Sequence, residues 1–238
     1  MSRNIFRKGA KTQSSDFLFF YLSALAPLRE TLPKMKTFIT SLLLFIALGF
    51  IAGCVSVEKN YPDKRYFVLE ASRAESPAAT KVGGVLLVSS LRVSPRYEGR
   101  SFVYRRGAAN FESDFYHQFL VSPGALLTEE VRRALAQAQV AQYVIGPASQ
   151  LEPTHYLEGS IDALYGDFRD LNAPKAVLEM EFFLSKEAPT KAEIVTRKRY
   201  VKSMAVNGRS PEALVKGWND ALNEILTALI ADLRAVSF

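Results

Sequence analysis

The sequence predicts an α+β fold: a mixed, largely antiparallel sheet packed by two amphipathic helices. Three observations carry this. Segments rich in β-branched and aromatic residues recur between turn signals. Two Ser-Pro pairs each open a stretch with apolar residues at steps of three and four. The order is strands, helix, strands, helix, which fits either two strands-then-helix halves from an internal duplication or two independent uses of a common helix start.

The elements follow in order. Arg65 to Ala71 reads as a strand, and Ser72 to Thr80, with Pro77, as a loop. Val85 to Val93 reads as one strand whose continuously apolar start, Val85-Leu86-Leu87-Val88, suits burial on both faces. Ser101 to Arg105 and Phe111 to Phe115 flank Arg106 to Asn110, whose Gly107 and Asn110 suit a hairpin loop. Ser122 is a good N-cap and Pro123 is tolerated at the first helical position. Leu127, Val131, Leu135 and Ala138 then give one apolar face.

After Tyr143 to Ile145, residues Gly146 to Pro153 read as a loop, and three strands follow. In the first, Leu157, Gly159, Ile161 and Ala163 share a face. In the second, Leu178, Met180, Phe182 and Leu184 alternate with Glu179 and Glu181. The third, Ile194 to Ala205, is heavily basic and reads as an edge. Ser210-Pro211-Glu212 starts the last helix, with a stripe of Leu214, Trp218, Leu222, Ile225, Leu229 and Leu233 that should pack on the sheet. Lys216 and Asn223 are expected to face away from it.

Ahead of these elements stands a different pattern. Met35-Lys36 gives a basic start, Phe38 to Ile51 is apolar apart from Thr40, Ser41 and Gly49, and Ile51-Ala52-Gly53-Cys54 closes the run. This is the layout of a secretory signal, with small residues before the cut. The other reading is a transmembrane helix, but the apolar run is shorter than the ~20 residues a span needs. Met35 is therefore read as the translation start, residues 1–34 as an upstream mis-start, 35–53 as the signal peptide, 54–64 as the new N-terminus and a tether, and 65–238 as a single domain.

The cut changes the charge. Residues 1–53 hold seven of the 30 Lys and Arg side chains and two of the 24 Asp and Glu, leaving 23 and 22 in a mature chain of 185 residues. The net charge falls from +6 to about +1, so bulk charge gives no case for a nucleic-acid partner. The mature chain has no thiol beyond Cys54, so a disulfide is excluded.

Motifs for chemistry are sparse. With only two histidines, His117 and His155, and one cysteine, a histidine–thiolate metal site lacks ligands. Neither HExxH nor GxSxG occurs, and Val82-Gly83-Gly84-Val85 precedes a strand where a dinucleotide loop follows one. His117 reads as a structural or surface histidine rather than a base. Glu179 and Glu181 share a strand face and read as solvated. No catalytic residue, metal site or cofactor is expected. Phe111, Phe115, Tyr116 and Phe119 cluster before the first helix, either as core or as a surface for a partner or an apolar ligand.

The run ending in Cys54 resembles a bacterial lipoprotein signal. That resemblance implies a diacylglyceryl group on the Cys54 thiol, cleavage at Gly53–Cys54 and acylation of the new amino group. The chain as a whole resembles the ABC-type transport auxiliary lipoproteins, the PqiC-like family. The motifs are Tyr66 to Leu69 soon after the lipobox, the strand ending Leu91-Arg92-Val93, the segment Asp114 to Leu120 leading through Pro123 into a helix, and the C-terminal amphipathic helix. Many members carry a Trp just before the first helix, where this chain has Phe115, Tyr116 and Phe119. The resemblance implies a non-enzymatic periplasmic subunit working with an MCE-domain protein and a permease to move lipids or other apolar molecules between membranes. It leaves self-association open. Val55 after the cysteine, with no aspartate there, implies an outer-membrane anchor. The rival class is an envelope assembly lipoprotein: a secretion-ring component or an activator of a cell-wall enzyme.

Overall fold

A computed structural model of the chain describes residues 32–51, 62–72, 83–187 and 192–236. Cys54, the expected cleavage site, most of the tether and of the loop expected from Ser72 to Thr80, and residues 1–31 of the upstream segment lie outside the described residues. The chain divides into two units, Met1–Asn60 and Tyr61–Phe238.

The first unit contains helix α1, Leu32–Ile51, which takes in the apolar run expected of a signal segment. The Thr40 hydroxyl donates back to the Lys36 carbonyl at 2.7 Å, so this polar residue is satisfied within the helix. Among the described residues, no helix is long and apolar enough to cross a membrane.

The second unit is a mixed α+β structure: an open sheet of nine strands with two helices packed on it. The strands are β1 Arg65–Phe67, β2 Val85–Val88, β3 Arg92–Val93, β4 Ser101–Arg105, β5 Phe111–Phe119, β6 Tyr143–Ile145, β7 His155–Asp167, β8 Lys175–Lys186 and β9 Glu193–Ala205. The helices are α2, Pro123–Gln137, and α3, Pro211–Arg234. The strand order is β1-β5-β4-β7-β2-β6, with β3 also on β7, and with β8 between β7 and β9.

The long ladders, β7 with β8 and β8 with β9, are antiparallel. The short pairings are mostly parallel. Along one edge of β7, strands β2, β3 and β4 dock in turn, all parallel to it. The reading of Val85 to Val93 as one strand is corrected by this arrangement. The ladder breaks after Val88, where the Ser89 N–H donates to the Leu157 carbonyl and the Leu91 N–H to the Thr128 hydroxyl, and β3 starts again further along β7. The first strand is also shorter than expected, three residues paired parallel to β5.

The helix starts form as their sequences require. The Ser122 hydroxyl accepts from the Ala125 N–H and the Ser210 hydroxyl from the Ala213 N–H, each with proline at the first position. All six residues of the α3 stripe are buried. They meet the even-numbered face of β8, where Leu178, Met180, Phe182 and Leu184 are buried too. Gly217 permits this approach. A Cβ there would sit 2.7 Å from the Ala176 Cβ, closer than real carbons come.

β9 pairs with β8 alone, as its basic character predicts for an edge. Its inner face is tied to α3 by Tyr200 donating to Asp232 at 2.7 Å and by Lys202 pairing with Glu224. On its outer face Arg197 and Arg199 pair with Glu181 and Glu179, so these carboxylates are each matched by a guanidinium. A bulge at Asp162 corrects the expected single face of β7. Ile161 is paired with buried Met180, but Ala163 is paired with Glu179 and lies on the opposite face.

Candidate interaction surface

Strand β5, which leads from the β4–β5 hairpin toward α2, carries the four aromatic residues singled out in the sequence. The hairpin closes where the Arg106 and Gly107 N–H groups donate to the Asn110 carbonyl. Beyond it the two strands lose step. Ser101 pairs with Gln118 and Val103 with Ser113, so β5 carries three extra residues in this interval. Asp114 organises them. Its Oδ1 accepts from the Tyr116 N–H at 2.8 Å and the His117 N–H at 3.1 Å, the short local pattern for which aspartate is suited. Its Oδ2 accepts from the Tyr104 hydroxyl at 2.7 Å and lies 2.6 Å from His117 Nδ1.

Burial alone would raise the Asp114 carboxyl. Hydrogen bonds from His117, Tyr104 and the two backbone N–H groups outweigh it and hold the group below the usual carboxylate range. With the carboxylate ionised, His117 Nδ1–H is the donor. Burial, then the bond to Asp114, push the Tyr104 hydroxyl upward. An aspartate orienting a histidine is also part of a nucleophile triad. Among the described hydrogen bonds, however, none joins His117 to a Ser, Thr or Cys side chain. The arrangement fixes the shape of the bulge.

The bulge separates the four aromatic residues. Phe119 is 2% exposed, with its ring 4.7 Å from Phe102 and 5.6 Å from Trp218, so it belongs to the core and to no surface. Phe111 lies toward the hairpin, 5.8 Å from the Tyr165 ring, with the Arg96 and Arg105 guanidinium groups over it. These residues and Tyr97 border a shallow, open cleft. Phe115 and Tyr116 stay together, edge to face at 5.3 Å. Phe115 is 63% exposed, with the Lys64 Nζ 4.0 Å above its ring.

Phe115 has apolar company that the sequence reading did not single out. β1 lies beside β5 with Tyr66 opposite Gln118 and Phe67 opposite Phe119. Phe67 packs inward against Phe102, so Tyr66 and Val68 point out by alternation, and both are exposed. The Leu120 N–H donates to the Phe67 carbonyl, which sets Leu120 and Val121 beside them, again exposed. The Arg100 guanidinium lies 5.4 Å from the Tyr66 ring. The signal was present in β1 and the two residues after it, where Tyr66 and Val68 alternate with Phe67 and Leu69, but a three-residue strand gives no partner by itself.

A second concavity lies between α2 and α3. It is mostly apolar, about 390 Å³, and is bordered by Ala134, Ala138, Leu226 and Ile230 with Arg234 and Asn223 among the polar residues. Asn223, expected to face away, borders it and has a structural role that Asn219, one turn earlier on α3, shares. They accept from the Glu70 and Ser72 N–H groups and pin the chain after β1 to α3. Glu130 of α2 accepts from the Ala71 N–H in the same stretch. Among the described residues, no group of three or more His, Cys, Asp or Glu side chains is placed to hold a metal ion.

No protein-family model matches the chain, and no curated protein matches it. Solved structures do. A crystal structure of a Xanthomonas campestris protein of the DUF330 family model aligns with a TM-score of 0.58 at 15% identity, over 71% of this chain and 90% of that one. A crystal structure of an uncharacterized protein aligns with a TM-score of 0.57 at 12% identity, over 72% of this chain and 99% of the other. At these identities the likeness is one of fold: this chain shares with both proteins an α+β arrangement that spans nearly all of their length.

Proposed function

We propose that the chain is a lipid-anchored periplasmic subunit of an MCE/ABC-type system that moves lipids or other apolar molecules between membranes, held at the outer membrane through Cys54 and working without chemistry of its own. The observation that carries this reading is the run Ile51-Ala52-Gly53-Cys54 directly ahead of an α+β domain. The resemblance to the auxiliary lipoproteins supplies the transport system, and with it an MCE-domain protein and a permease as partners. Three acyl chains give firm anchoring, since a single chain is marginal and each buried CH₂ adds about 0.8 kcal/mol. The organic groups on Cys54 are the only covalent additions the reading requires; it needs no metal or cofactor.

Two measurements test it together. Metabolic labelling with a clickable fatty acid should mark the wild-type protein and leave Cys54→Ala unmarked. Affinity capture of the tagged lipoprotein from a detergent-solubilised envelope should recover an MCE-domain protein and permease subunits. Equal label on both proteins removes the anchor. Recovery of a secretion ring or a cell-wall synthase in place of the transport proteins moves the chain to the envelope assembly class.

A further inference from the structure

We infer that the surface formed by Tyr66, Val68, Phe115, Leu120 and Val121 is a membrane-contact face, seated on the bilayer that holds the Cys54 lipid. This rests on the lipid-anchored reading above and adds to it an orientation and a direct protein–lipid contact.

The first argument is exposure. Of the ten large apolar side chains exposed among the described residues of the second unit, these five form one group around β1, the β5 bulge and the approach to α2, while Tyr143, Leu151, Leu171, Ile194 and Val201 lie on other segments. Exposed apolar side chains gathered on neighbouring, paired segments mark a contact.

The second argument is construction. Phe115 is not exposed by accident of a loose loop. It sits in the bulge that Asp114 builds with two backbone N–H groups, Tyr104 and His117. A side chain carried on a backbone turn fixed by a part-buried hydrogen-bond network is held in one place.

The third argument chooses the occupant. The chain enters the domain at this surface: Lys64 precedes β1 and its amine lies over the Phe115 ring. Lys64 is the tenth residue after Cys54, and ten residues reach at most ~35 Å when extended. A lipidated Cys54 therefore keeps this surface nearest the bilayer and at high local concentration on it. The composition agrees. The aromatic members of the surface carry basic side chains, Lys64 over Phe115 and Arg100 over Tyr66. Aromatic rings with basic side chains beside them suit the depth of lipid headgroups.

Site-directed labelling tests this on the lipidated protein. Phe115→Cys, Leu120→Cys and, as control on the far edge strand, Val201→Cys each add one free thiol, because Cys54 is blocked. Each variant is labelled with an environment-sensitive fluorophore and reconstituted into vesicles of phosphatidylethanolamine with a minor share of phosphatidylglycerol, doped with nitroxide-bearing lipids. The labels at positions 115 and 120 should be quenched at least several-fold more than the label at 201 and should shift to the blue. Equal, weak quenching at all three positions on protein that floats with the vesicles overturns the contact face and leaves the anchor standing. Failure of the protein to float removes the lipid-anchored reading itself. Labels at 115 and 120 that stay wet on vesicles but become protected when solubilised envelope proteins are added back assign the face to a protein partner and likewise overturn the proposal.

Discussion

Replacing Trp218 with alanine should remove a large part of the domain's stability. Trp218 is fully buried, at the point where α3 crosses the sheet. Its ring stands edge-on to Phe102 at 5.0 Å and tilted to Phe119 at 5.6 Å, and its Nε1–H donates to the Tyr165 carbonyl at 3.3 Å. Truncating a buried Trp costs about 3–5 kcal/mol through lost transfer energy and the cavity left behind. The two ring contacts and the lost hydrogen bond, each worth about 1 kcal/mol, favour the upper part of that range. Phe102 and Phe119 can close some of the space, which favours the lower part. A loss of about 4 kcal/mol is large against a typical total of about 5–15 kcal/mol.

The assay is urea unfolding of the purified lipoprotein in mild detergent, followed by far-UV circular dichroism, since the substitution removes the only tryptophan. With a slope of about 2 kcal/mol per molar, the midpoint should fall by about 2 M. Lys216→Ala on the exposed side of α3 should change stability by less than about 0.5 kcal/mol. A fall of under about 0.5 M for Trp218→Ala, with the slope unchanged, would mean that α3 is not the lid of this core. Partner capture lost in that stable variant would identify the stripe as an interface.

Three further outcomes follow from the same packing. Gly217→Ala should destabilise by about 1–3 kcal/mol despite alanine's better helix propensity, because the new methyl meets Ala176 on β8, and Ala176→Gly in the same chain should recover most of the loss in urea melts. Asn223→Ala should cost about 1 kcal/mol and speed protease cleavage near Ser72, whose N–H it holds at 2.7 Å. His155 is buried, and desolvation, then the nearby Lys186 charge, lower its affinity for protons in the folded state. Its contribution is therefore fully present above the unfolded value near pH 6.5 and is lost as pH falls below it, so thermal stability should drop between neutral and mildly acid pH, and His155→Gln should flatten that part of the profile.

The elements with long periodic signals were legible in the sequence. The α3 stripe, the α2 face and the β8 alternation are one-dimensional patterns whose period of 3.6 or 2 survives folding unchanged. The edge character of β9 was legible too, since four basic residues among thirteen do not suit an inner strand. What failed were features set by neighbours. Nothing in Val85 to Val93 says that its middle will bond to Thr128 on a helix and to Leu157 on another strand. Nothing in the alternation of Leu157 to Ala163 announces a bulge at Asp162, because the count of residues on β7 is fixed by β8. The aromatic cluster failed for the same reason. Four residues within nine positions looked like one group, and three extra residues in the strand sent Phe111, Phe115 and Phe119 to three places.

The bulge in β5 is where the fold departs furthest from its cheapest form. A strand of even register from Phe111 to Phe119 would keep every ladder bond with β4, and no carboxylate would need to leave water. Instead Asp114 is drawn in until its side chain is only 13% exposed, with its oxygens matched by two side chains and two N–H groups. Burying a charged carboxylate costs several kcal/mol unless it is fully hydrogen-bonded, so the network must be complete for the bulge to exist at all. The residue at its tip is Phe115, an apolar ring left in solvent. Stability alone selects against both choices: a regular strand with a polar residue at position 115 would be simpler and more soluble. Local rules broken together, with a satisfied part-buried network in the bulge that carries an exposed apolar side chain, are what a contact site looks like in a sequence that otherwise agrees with its fold. That the chain toward Cys54 leaves from beside the same ring joins the geometry of the bulge to the lipid-anchored reading of the sequence.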